Sequence, residues 1–210
     1  MSADPTHAAD LTHASRIVLV LGGARSGKSA EAERVVTTLA GSRVITYVAT
    51  ALLDTEDPSL AERVAAHRAR RPPTWLTVDA GSNLPAVLRA ATGPVLLDSL
   101  GPWVAGGYPS PPDAAALVAA ITERDGDTVV VSDEVGLAVH PTSESGRWFV
   151  DAVGMLNQAV AAVAGEVRLV VAGRVLVLPA VLPATLAVVL PAALAAPEAA
   201  SASAEPSGDR

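Results

Sequence analysis

The sequence predicts an α/β fold with a mostly parallel, doubly wound sheet. Three observations predict it. Short apolar runs alternate with helix-like stretches along the chain. Those runs are almost unbroken by charge, as strands buried on both faces of a parallel sheet must be. The first run leads directly into a glycine-rich pattern that turns a strand into a helix around a phosphate.

The first strand is Ile17-Val18-Leu19-Val20-Leu21. Gly22-Gly23-Ala24-Arg25-Ser26-Gly27-Lys28-Ser29 follows and fits G-x-x-x-x-G-K-[ST]. The glycines let consecutive backbone N–H groups point inward at an anion. The next helix, Lys28–Leu39, adds its positive N-terminal end at the same place. Lys28 can reach the β/γ-phosphates, and the Ser29 hydroxyl can ligate Mg²⁺. A glycine-rich turn with a chance lysine is the plainer alternative, which the register of strand, loop and helix disfavours.

The second run, Val44–Ala49, ends at Thr50 and Ala51. A helix is expected over Leu60–Arg70. It carries a basic cluster, Arg63, Arg68, Arg70 and Arg71, around His67. Arg63 and His67 share a helix face at i,i+4. A neutral imidazole among guanidiniums is a nucleophile beside groups that hold phosphate oxygens. An exposed basic face with an incidental histidine explains this segment at least as well.

A helix is expected at Leu84–Ala91, then the run Val95–Leu97 closed by Asp98. An acid ending an apolar strand suits Mg²⁺ held beside a phosphate loop, or a helix N-cap. The helix Asp113–Glu123 precedes Thr128–Val131 and then Ser132-Asp133-Glu134-Val135-Gly136. The paired acids could contact metal, orient a hydroxyl or cap the next turn. The helix Arg147–Ala164 presents Trp148, Val150, Val153, Leu156 and Val160 as an apolar stripe, with Arg147 and Asp151 spaced for an ion pair. His140 reads as a loop residue, and His7 and His13 carry no role. The run Val167–Ala172 contains one charge, Arg168, and Val175–Leu178 reads as an edge strand.

Three regions are expected: a flexible arm at 1–15, one domain at 16–178, and an apolar Ala/Pro-rich extension with a disordered tail at 179–210. Val175 to Pro197 holds no charged residue, and Pro179, Pro183, Pro191 and Pro197 interrupt it. A bilayer span needs about 20 apolar residues without such breaks, so membrane contact is disfavoured. The chain has 210 residues, a net charge of −7 and no cysteine. That charge gives nucleic acid no electrostatic support. The missing cysteine excludes thiolate chemistry and cysteine-bound zinc. The polar first residues lack a signal-peptide core, so a cytoplasmic location is expected.

Taken together, the motifs resemble the bifunctional adenosylcobinamide kinase/adenosylcobinamide-phosphate guanylyltransferase family of cobalamin biosynthesis. They run over residues 17 to 173. They comprise Gly22–Ser29, Tyr47-Val48-Ala49-Thr50-Ala51, Arg63-Val64-x-x-His67-Arg68 and Arg71-Pro72-x-x-Trp75-x-Thr77. Leu96-Leu97-Asp98, Glu134-Val135-Gly136 with Pro141, Arg147-x-Phe149-x-Asp151-x-x-Gly154-x-x-Asn157-Gln158 and Glu166-Val167-x-Leu169-Val170-Val171-Ala172-Gly173 complete the set.

The resemblance implies a RecA-like P-loop sheet with one antiparallel edge strand, and a homotrimer. It implies two reactions: phosphorylation of adenosylcobinamide by ATP or GTP, then transfer of GMP from GTP to that phosphate. His67 matches the position of the guanylylated histidine. Ala49, Thr50 and Ala51, then Arg70, Arg71, Pro72 and Pro73, match nucleotide-contacting segments, and Asp79 matches a ribose-binding acid. Ser29 and Asp98 would hold Mg²⁺. Three departures stand out. Ala66 replaces a second histidine, Ser99 to Ala105 replaces a threonine-rich turn, and Ser132-Asp133 replaces an Asn before Glu134.

Overall fold

The computed structural model describes residues 15–50 and 72–180. Their strands form a seven-stranded sheet. In chain order they are β1 (Ile17–Gly22), β2 (Thr46–Ala49), β3 (Leu76–Asp79), β4 (Val95–Asp98), β5 (Thr128–Asp133), β6 (Glu166–Val171) and β7 (Arg174–Leu178). The helices among the described residues are α1 (Lys28–Ala40), α2 (Leu84–Ala90), α3 (Leu100–Gly106), α4 (Ala114–Glu123) and α5 (Glu144–Ala161).

The strand order is β3-β2-β4-β5-β1-β6-β7. Every pairing is parallel except β6 with β7, the antiparallel edge. This is the RecA-like arrangement the resemblance implies. β5 lies between the phosphate-loop strand β1 and the acid-ended strand β4.

Alternation along the strands sends side chains to two separate cores. Val18, Val20, Tyr47, Leu96, Val129 and Val131 face α1 and its Ala32, Val35, Val36 and Ala40. Leu19, Val48, Leu97 and Val130 face the other way, onto Leu84 and Leu88 of α2, Leu100 and Val104 of α3, Leu117 and Ile121 of α4, and Val153, Leu156 and Val160 of α5. Helix caps fix where the second layer begins. Asn83, Asp113 and Ser143 accept from the N–H groups of Ala86, Ala116 and Gly146 at 3.3, 2.9 and 3.1 Å.

The elements differ from expectation in several places. β2 begins at Thr46 rather than Val44, which is exposed. β5 continues to Asp133, because Ser132 and Asp133 stay in register with Leu21 and Gly22. α5 begins at Glu144 rather than Arg147, because Ser143 caps it. Its stripe is buried at Val153, Leu156 and Val160 but only half-buried at Trp148 and Val150. Arg147 donates to the Thr142 carbonyl at 2.7 Å, where an ion pair with Asp151 was a possibility of spacing. β3 and α3 carry no clear sequence signal, for reasons taken up below. The helix expected at Leu60–Arg70 and the chain beyond Ala180 lie outside the described residues. Among the described residues, no helix is long and apolar enough to cross a membrane.

Candidate active site

The turn from β1 to α1 is built by close approach. A Cβ at Gly22 would lie 2.8 Å from the Val170 carbonyl oxygen and against Ser26 Oγ, so no side chain fits there. Gly27 takes φ +97°, which glycine adopts without steric cost, and Arg25 sits at φ +57°. The Ser26 N–H donates to the Gly23 carbonyl at 3.2 Å, and the Ser26 carbonyl accepts from the Gly173 N–H at 2.8 Å. The loop is therefore tied to the β6–β7 turn. Gly23, Ala24 and Arg25 remain exposed at its rim.

Five side chains converge at this end of the sheet. Lys28 Nζ donates to the Gly23 carbonyl at 3.3 Å and pairs with Asp133 Oδ1 at 2.9 Å. Ser29 Oγ lies 3.5 Å from Asp98 Oδ1. The Tyr47 hydroxyl donates to Asp98 Oδ2 at 2.6 Å. Lys28, Ser29, Asp98 and Asp133 thus come from a helix start and two strand ends: Asp133 stands in register with Gly22, and Asp98 stands in register with Val131, two residues short of Asp133.

The alternatives left open by sequence separate here. Asp98 does not cap α3: Ser99 is the N-cap residue, and the Asp98 carboxylate faces Ser29 and Tyr47. Glu134 takes the capping role, accepting from the N–H groups of Gly136 and Leu137 at 2.9 and 3.1 Å. Asp133 keeps its carboxylate on the phosphate loop, and its carbonyl accepts from Asn157 Nδ2 at 2.9 Å.

Of the residues that match nucleotide-contacting segments, Ala49, Thr50 and Asp79 lie at these strand ends. Ala49 is in register with Asp98 on one side and Asp79 on the other. Thr50 is buried, donating through Oγ1 to the Ser99 carbonyl and accepting from the Ser99 N–H at 3.2 Å. Its side chain joins β2 to the start of α3. Pro72 and Pro73 are exposed ahead of β3. His67, Arg70, Arg71 and Ala51 lie outside the described residues, as does Arg63. Tyr47 is the site residue that reading by chemistry missed. Its partner Asp98 is 51 positions away, and a tyrosine inside an apolar run reads as core.

Among the described residues, no three His, Asp or Glu side chains form a metal cage. Ser29 and Asp98 instead offer two oxygen donors, a set that suits a hard cation completed by water and phosphate oxygens.

Fold and site define a phosphate-loop nucleotide-binding enzyme of the RecA-like class. A family model described as cobinamide kinase / cobinamide phosphate guanyltransferase matches residues 18–178. The bifunctional adenosylcobalamin biosynthesis protein CobP of Pseudomonas aeruginosa is 38% identical over 164 residues, covering 74% of this chain and 92% of that protein. The bifunctional adenosylcobalamin biosynthesis proteins CobU of Escherichia coli and Salmonella typhimurium are 35% and 34% identical over 180 residues, each covering 75% of this chain and 96% of the relative. Among solved structures, the flagellar accessory protein FlaH of Methanocaldococcus jannaschii is similar at a TM-score of 0.44 and 15% identity, covering 78% of this chain and 76% of that one. The chain belongs to the cobinamide kinase / cobinamide phosphate guanyltransferase family. It is a transferase of cobalamin biosynthesis with that family's two activities.

Proposed function

We propose that this chain phosphorylates the hydroxyl on the aminopropanol arm of adenosylcobinamide, then converts the product to adenosylcobinamide-GDP through a guanylylated His67. The convergence of Lys28, Ser29, Asp98 and Asp133 on one glycine turn carries the reading. The loop N–H groups and Lys28 neutralise the β/γ-phosphates of ATP or GTP as negative charge moves to the leaving oxygen. Ser29 and Asp98 would hold Mg²⁺, which would supply further charge neutralisation there.

In the second reaction, an imidazole nitrogen of His67 attacks the α-phosphorus of GTP. The bond to the β-phosphate oxygen breaks, and pyrophosphate leaves. A phosphoramidate remains on the ring. A phosphate oxygen of adenosylcobinamide phosphate then attacks the same phosphorus. The N–P bond breaks and the imidazole is regenerated. Arg70, Arg71, Pro72 and Pro73 flank the nucleotide, Asp79 takes ribose hydroxyls, and Ala49, Thr50 and Ala51 line the base side. The reading includes a cytoplasmic homotrimer.

GTP labelled at the α-phosphate tests it. Acid-labile covalent label is expected on the wild-type protein and lost in His67→Ala, while phosphorylation of adenosylcobinamide persists. Phosphate transfer with no label on the wild type would leave a kinase alone.

A further inference from the structure

The acceptor must bring a hydroxyl to the phosphate loop, and the surface beside that loop has an unusual composition. The chain holds three Trp, two Tyr and one Phe. Three of these six lie at the end of α3 and the start of α5. Tyr108, just past the end of α3, meets Trp148 of α5 edge to face, with ring centroids 5.1 Å apart and planes at 86°. Phe149 follows Trp148. Its Cζ lies 3.6 Å from where a Cβ would stand on Gly101, and Asp133 Oδ2 presses on the same point. Asp133 in turn reaches Lys28. The Phe149 ring, a bare backbone position, a carboxylate and the phosphate-binding lysine are therefore contiguous, and the Tyr108–Trp148 pair adjoins Phe149 along α5.

The rings are not fully used by the core. Tyr108 is 48% exposed, and Trp148 and Phe149 are half-buried. A loop runs into the start of the same helix, α5. It leaves β5 at Glu134, whose carboxylate ties down the Gly136 and Leu137 N–H groups. It returns with Pro141 against Gly146, at the start of α5. Between those anchors Leu137 and Val139 are 81% and 93% exposed. Such a fixed apolar loop beside half-open rings has no packing role in the chain's own core.

We propose that Tyr108, Trp148, Phe149 and Leu137 form the acceptor subsite, packing methyl and methylene groups of the corrin macrocycle between its amide arms, with Asp133 at its phosphate-loop end facing the acceptor arm. This rests on the functional reading above and names where its larger substrate sits. An aromatic and aliphatic wall covers the methyl and methylene surface of a broad ring with little loss of side-chain freedom. Gly101 leaves the room in which the Asp133 carboxylate stands.

Steady-state kinase assays on the full chain test this. In Tyr108→Ala and in Leu137→Ala, KM for adenosylcobinamide rises roughly tenfold while KM for the triphosphate stays within about twofold. Tyr108→Phe, which keeps the ring pair, restores acceptor KM. Both alanine positions are exposed enough for the variants to fold, checked by circular dichroism. Unchanged acceptor KM in both variants overturns the subsite. If the wild type transfers no phosphate, the functional reading fails instead. Docking is then read from quenching of tryptophan fluorescence by adenosylcobinamide, weakened in Tyr108→Ala if the subsite stands and equal to wild type if it does not.

Discussion

At Asp127 a carboxylate with a side chain 0% exposed is kept ionised. Burial alone would raise its pKa. The Arg16 N–H donates to Oδ1 at 3.0 Å and Arg43 pairs with Oδ2 at 2.7 Å. These bonds and the two positive charges outweigh burial, and the pKa falls below its ordinary 3.8. A depressed folded-state pKa contributes stability above the unfolded value and loses it as pH falls through the folded one. Asp127→Asn is therefore expected to cost about 1–3 kcal/mol near neutral pH. Urea unfolding of both proteins should show the gap closing only below about pH 4. A gap that is unchanged there would contradict the ionised reading. Asp127 holds the amino ends of the strands, opposite the end where Asp98 and Asp133 work.

The turn that leads into β5 depends on a single missing side chain. Gly126 takes φ +117°, and a Cβ there would lie 2.7 Å from the Gly93 carbonyl carbon. The two turns are clamped by Arg124, which donates to the Gly126 carbonyl at 2.8 Å and the Gly93 carbonyl at 2.5 Å. Gly126→Ala meets both a disfavoured φ and backbone that cannot yield. A loss of at least about 2 kcal/mol is expected, read as a Tm drop of roughly 4–8 °C. An unchanged melt would mean that the two turns separate freely.

Two elements show why the sequence was silent where it was. β3 lies at the sheet edge, with Leu76, Thr77 and Asp79 exposed, so it has no apolar run to announce it. α3 contains Gly101, Pro102 and Gly106, which argue against a helix by propensity. Pro102 falls in the first turn, where its missing N–H is no loss. Leu100 and Val104 then hold the helix by packing on the core it shares with α5.

For the whole molecule, the parallel topology gathers β1, β2, β3, β4 and β5 with their carboxyl ends on one side, the usual place for a ligand in such a sheet. Binding there is felt by the entire cooperative unit. Mg²⁺ with GTP at 100 times its Kd should stabilise the protein by about 2.7 kcal/mol, a Tm rise of roughly 5–10 °C. Lys28→Ala should abolish most of that rise while leaving the melt without nucleotide nearly unchanged. An equal rise in Lys28→Ala would place the triphosphate elsewhere.

The amino-acid sequence by itself determined the alternation of strands and helices, the phosphate loop and the family. Those features are local: a period, a glycine spacing and an ordered set of short motifs survive without knowing what lies across the sheet. Only the tertiary structure decided that Asp98 faces Ser29 and Tyr47 while Glu134 caps its own turn. Only it decided that Asp133 meets Lys28 and that Tyr108 meets Trp148. An acid at a strand end has the same local signature in either role. Which role it takes depends on the neighbour that the strand order brings alongside, from a part of the chain far away in sequence.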